Sequence, residues 1–80
     1  MKNRLESLLE LYKKDSTDSF LNYGIALEYM SAGDYEKAEH FLKKLLEGDP
    51  AYVPVYVQYA ELREKQNRIE EAKTDLQQRD

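Results

Sequence analysis

His40 is the one imidazole in the chain, and Glu36 stands one helical turn before it. A metal contact or a general base is therefore the first chemistry to weigh. One imidazole beside one carboxylate is too small a ligand set, and the same spacing arises on any solvated helix face. Cysteine is absent, which excludes thiolate ligands, disulfides and cysteine nucleophiles. No serine sits in a nucleophile-elbow context. The 16 carboxylates are interleaved with basic or amide residues rather than paired in apolar surroundings that would split their proton affinities. The three glycines are isolated and no GxxxxGK run occurs, so nothing cradles a phosphate. The residues read as non-enzymatic, with no catalytic, cofactor-binding or metal-binding position.

Apolar contact is the chemistry that remains. Leu21, Ile25, Ala26 and Tyr29 recur at helical spacing and suit a core. On the same stretch a second stripe, Phe20, Tyr23, Leu27 and Met30, recurs at three, four and three. A helix apolar nearly all round needs a cover on both faces. For the second stripe the leading helix, a partner peptide or another copy of the chain would each serve.

These stripes belong to a small soluble domain. Its 80 residues are 41% hydrophobic and 35% charged, too apolar for a disordered chain and too charged for a membrane span. The start, MetLysAsnArgLeuGluSer, has no signal-peptide core, and a cytoplasmic location is expected. A net charge of −4 supplies no footprint for nucleic acid or for anionic lipid. Lys and Arg alternate with acids at helical spacing, as in Glu10 with Lys14, Glu39 with Lys43 and Glu61 with Lys65.

Glycine and proline mark the joints of the elements that position the stripes. Gly33 and Gly48 each follow a periodic segment, where a left-handed residue ends a helix. Pro54 fits the first turn of the helix it opens. Five helices are expected, over about 2 to 14, 18 to 32, 35 to 47, 53 to 66 and 69 to 78. Ser16, Thr17 or Asp18 caps the second and Asp34 the third, and Asn67 ends the fourth in the left-handed position. Connections this short make neighbours antiparallel.

Shifted by about 34 residues, a period used by one class of helical repeat, Ser19 through Leu46 aligns without a gap on Val53 through Asp80. The identical pairs are Ala26 with Ala60, Glu36 with Glu70, Ala38 with Ala72 and Leu42 with Leu76. In each copy two alanines flank a turn residue, which lets the two helices of a hairpin approach closely. Ile25, Ala26, Tyr29, Gly33, Asp34, Tyr35, Ala38, Phe41, Leu42, Leu45 and Pro50 resemble one whole tetratricopeptide repeat. Tyr56, Tyr59, Ala60, Leu62, Ile69, Ala72 and Leu76 are similar to a second that lacks its last residues. Leu8 and Leu11 sit where the second helix of a preceding repeat would pack. Asn22, Arg63 and Arg4 depart from the family's usual aromatic, tyrosine and alanine, and loosened ends are expected.

The resemblance implies an all-α fold of antiparallel hairpins stacked as a short right-handed solenoid. Residues 1–18 would form a leading half-repeat, 19–52 a full repeat and 53–80 a truncated one whose closing GlnGlnArgAsp solvates the end. It also implies a role in protein–protein interaction through a concave groove lined by the first helices of the repeats. The residues expected there are Phe20, Tyr23, Leu27, Met30, Val57, Glu61 and Glu64, with Gln58 and Lys65 beside them. The partner would be a protein or peptide segment, or a second copy docking through Phe20 to Met30. Lys, Arg and Asn do not occupy the places of Tyr23, Leu27, Pro54 and Gln58, so a clamp for an acidic tail is not implied.

Overall fold

The computed structural model describes the backbone of residues 2–78 and the side chains of residues 2–70. Four helices run among the described residues: α1 (Arg4–Lys14), α2 (Ser19–Ser31), α3 (Tyr35–Gly48) and α4 (Pro54–Gln78). Each of the first three starts on a side chain that accepts from a free amide of the first turn. Asn3 Oδ1 accepts from Glu6 N at 2.8 Å, Asp18 Oδ1 from Leu21 N at 2.9 Å and Asp34 Oδ1 from Lys37 N at 3.3 Å. Among the three residues expected to cap α2, Asp18 is the one that does.

The core lies where α2, α3 and α4 meet. Ile25, Ala26, Ala38, Leu42, Val55 and Leu62 are completely buried, and Phe41, Leu45 and Met30 nearly so. Ala26 on α2 and Ala38 on α3 are the small residues of the first hairpin, as their spacing implies. Gly33 closes that hairpin with φ 81°, in the left-handed region, and Asp34 N donates back to Tyr29 O at 2.9 Å. α1 packs on this hairpin through Leu5, Leu8, Leu9 and Tyr12, and the Tyr12 ring meets Phe41 edge-on at 5.4 Å.

Two expected helix stops differ. Gly48 is the last residue of α3 and is not left-handed; Asp49, with φ −146°, forms the cap and its amide donates to Leu45 O. Asn67 does not end a helix at all, because α4 runs unbroken through it and the fourth and fifth expected helices are one. Among the described residues only Gly33 has positive φ. Between Val55 and Gln78 there is neither glycine nor proline, and a mid-helix Asn costs well under about 1 kcal/mol relative to Ala. Arg68 and Glu64 pair at i,i+4 across the site of the expected break. With no helix folded back on it, Ala60 is exposed, unlike its repeat counterpart Ala26. The side chains of Ala72 and Leu76 and the end of GlnGlnArgAsp lie outside the described residues.

Each of the three departures from the repeat pattern makes polar contacts of its own. Asn22 is 2% exposed and its Nδ2 donates to Ser16 O at 3.1 Å and Asp18 O at 2.8 Å, holding the α1–α2 loop. Arg4 Nε meets Glu28 of α2 at 3.0 Å, and Arg63 Nη1 meets Glu39 of α3 at 3.3 Å.

Candidate groove between the first, second and fourth helices

The surplus stripe of α2 divides by depth. Met30 is 6% exposed and forms part of the core, Tyr23 and Leu27 are half-buried, and Phe20 is 68% exposed. α1 reaches α2 beside this stripe rather than on it. A methyl group placed on Gly24 would lie 3.4 Å from Leu8 Cδ1, so Leu8 of α1 stands within ordinary contact distance of this line of α2. One turn further on, Arg4 and Glu28 pair across the same seam. The leading helix thus covers the Gly24 line and leaves Phe20 open.

A groove follows from this placement. Leu27 and Met30 line its floor, Arg4 and Glu28 one wall, and Gln58, Glu61 and Lys65 of α4 the other. Val57 shares the α4 face that carries Glu61 and is 64% exposed. Glu64 continues that face by one turn and is held by Arg68. At the far end Tyr23 packs edge-on against Tyr52 of the α3–α4 connection, ring centroids 5.5 Å apart. Val53, next to Tyr52, is 69% exposed. The groove thus carries charges of both signs at Arg4, Glu28, Glu61 and Lys65, while Phe20 and Val57 are exposed on the two helices that flank it.

Of the residues expected from sequence, Leu27, Met30 and Glu61 line one groove, whereas Phe20, Tyr23, Val57 and Glu64 do not line it. Arg4 and Glu28 were not anticipated. The signal for them was the Gly24 to Glu28 spacing, which puts a carboxylate on the same face of α2 as the point where α1 crosses. His40 and Glu36 are both exposed on α3, and the His40 ring rests edge-on to Phe41 at 5.3 Å. No described helix is long and apolar enough to cross a membrane.

A family model described as a tetratricopeptide repeat matches residues 29–78, from the end of α2 through α3 and α4. Comparison with curated proteins and with solved structures returned no match.

Proposed function

Because the chain belongs to the tetratricopeptide-repeat family, whose repeats generally serve as non-enzymatic protein–protein interaction modules, we propose that the groove between α1, α2 and α4 receives a segment of a partner protein. The observation that carries this reading is the exposure of Phe20 on α2 and Val57 on α4, the helices that flank a groove lined by charges of both signs. An amphipathic helix fits such a surface, its apolar anchors on Phe20, Tyr23 and Val57 and its polar face along Glu28, Glu61 and Lys65. Within this reading residues 1–18, 19–52 and 53–80 act as a leading half-repeat, a full repeat and a partial one, in the cytoplasm. The net charge of −4 argues against nucleic acid and membrane surfaces as partners. A second reading, a homodimer through the face running from Phe20 toward Met30, is favoured by the same exposed Phe20, although buried Met30 contributes no surface to it.

The experiment compares capture of partner proteins by the wild-type chain and by a Phe20→Glu, Val57→Glu variant. Both residues are largely exposed, so the variant keeps its fold. Loss of a specific partner with unchanged melting supports the groove. Loss of self-association in its place supports the dimer reading, and unchanged partners and mass overturn both.

A further inference from the structure

The start of α2 and the end of α3 border a cavity of about 210 Å³, lined by Ser19 and Asn22 on one side and by Lys44, Leu45, Gly48 and Asp49 on the other. It shares no residue with the groove between α1, α2 and α4, and its role is independent of that groove's. Asn22 stands where the repeat pattern carries a large aromatic, and its shorter amide leaves room. The residue is 2% exposed, and its Nδ2 gives its protons to Ser16 O and Asp18 O of the α1–α2 loop. Exchanging the two ends of the amide would set an oxygen against two carbonyls, so its orientation is fixed by its partners. Oδ1 is thereby turned away from the loop, and no donor among the described residues reaches it. A buried acceptor without a donor marks a place where one is wanted.

The other polar side chains around the cavity direct their protons elsewhere. Lys44 sets its ammonium on the Tyr12 hydroxyl and, at 3.0 Å, on Ser16 O, and Thr17 Oγ1 donates to Asp15 at 3.2 Å; none of these acceptors lines the cavity. Ser19 Oγ donates to Asp49 Oδ2 at 2.6 Å, which leaves Asp49 its second oxygen. Asp49 is also the C-cap of α3, whose last carbonyls form the negative end of the helix dipole, where cations are favoured. The spare hydrogen-bonding capacity is thus acceptor, and the charge left beside it is the carboxylate of Asp49.

We propose that this cavity receives the cationic head of an arginine or lysine side chain from a partner protein, its N–H groups donating to Asn22 Oδ1 and to the second oxygen of Asp49. The volume of about 210 Å³ is several times the roughly 30 Å³ of one water and holds such a head with part of its stem. Lys44, half-buried, is the long and flexible side chain of the lining, and it is the wall that yields as the head enters and reaches Oδ1. Charge-assisted donation to a site closed off from water is the strong form of this contact.

The test titrates capped tripeptides, acetyl-Gly-Arg-Gly-amide and acetyl-Gly-Lys-Gly-amide, into the isotope-labelled full chain at fixed ionic strength and follows amide resonances by two-dimensional NMR. The citrulline counterpart, which has the shape of arginine without its charge, is the control. Saturable shifts of the Asn22 side-chain amide and of the Ser19, Gly48 and Asp49 backbone amides are expected with the arginine or the lysine peptide, and binding about tenfold weaker with citrulline. Asp49→Asn keeps the shape and the acceptor for Ser19 and is expected to weaken binding about tenfold at an unchanged melting midpoint. Asn22→Leu is expected to abolish the shifts; it also takes a donor from two loop carbonyls, so Asp49→Asn decides the matter if the Asn22 variant does not fold. Shifts that do not saturate or that fall on other carboxylate-bearing faces, equal binding of the citrulline peptide, or undiminished binding by Asp49→Asn would each overturn the proposal.

Discussion

Replacing Gly24 by alanine should stabilise the protein, and the size of the effect follows from two local facts. Gly24 lies in the interior of α2 with ordinary helical geometry, and Gly33 is the only described residue with positive φ. Its backbone freedom is therefore a cost, and alanine in an interior helical position is favoured by about 0.5–1 kcal/mol. The added methyl group would stand 3.4 and 3.7 Å from the two δ carbons of Leu8, ordinary van der Waals contact. The packing term is thus close to neutral, and the propensity gain should emerge nearly whole. In a domain of this size that is a rise of roughly 2–8 °C in the thermal midpoint, readable by circular dichroism at 222 nm and by the midpoint of urea unfolding. Gly24→Leu extends the same series: its further carbons enter the space of Leu8 and push α1 outward, at a cost of about 1–3 kcal/mol. A Gly24→Ala variant that melts lower than wild type would refute the reasoning, since it would mean that α1 sits closer to α2 than the 3.4 Å contact allows.

Other positions give equally definite outcomes. Ala38→Leu should destabilise by about 1–3 kcal/mol in chemical denaturation, because Ala38 is fully buried in the first hairpin. Gly33→Ala should cost about 1–2 kcal/mol through its φ of 81°, with nothing within 4 Å to compensate, and Gly48→Ala should show no such loss. Asn22→Ala should cost about 0.5–1.5 kcal/mol per lost hydrogen bond and raise hydrogen exchange at the start of α2, because Ser16 O and Asp18 O each lose one of their donors. His40→Ala should leave the melting midpoint within an equivalent of about 0.5 kcal/mol, as at exposed sites generally.

Where sequence and structure agree, the governing physics is short in range. Asp18 and Asp34 cap α2 and α3 because a carboxylate before a periodic run has a free amide waiting three residues on, and Gly33 turns because only glycine enters the left-handed region without penalty. Ala26 and Ala38 locate the close crossing for the same local reason. Asn67 lies inside α4 because an asparagine can either end a helix or sit within one at small cost, so the local sequence alone does not decide between the two. Asn22, Arg4 and Arg63 look like defects against a repeat pattern built on apolar packing. Their real partners, two loop carbonyls and two glutamates on neighbouring helices, are visible only in three dimensions. For the groove, spacing was enough to find Leu27 and Glu61. It said nothing of depth, so Met30, a core residue, and Phe20, an open one, looked alike on the stripe.

That α1 contributes no fully buried residue has a consequence for the order in which the molecule assembles. The α2–α3 hairpin joins residues close in sequence through a tight turn and holds most of the buried side chains, so its closure is fast and asks for little loop entropy. α1 docks onto a surface that must already exist. Its hold consists of half-buried leucines, the Arg4–Glu28 pair and the contact of Lys44 Nζ with the Tyr12 hydroxyl and, at 3.0 Å, Ser16 O. Amides of Leu8 to Tyr12 should therefore exchange by a sub-global opening well below the free energy that protects Ile25 or Leu42, and α1 should be the last element to fold and the first to leave.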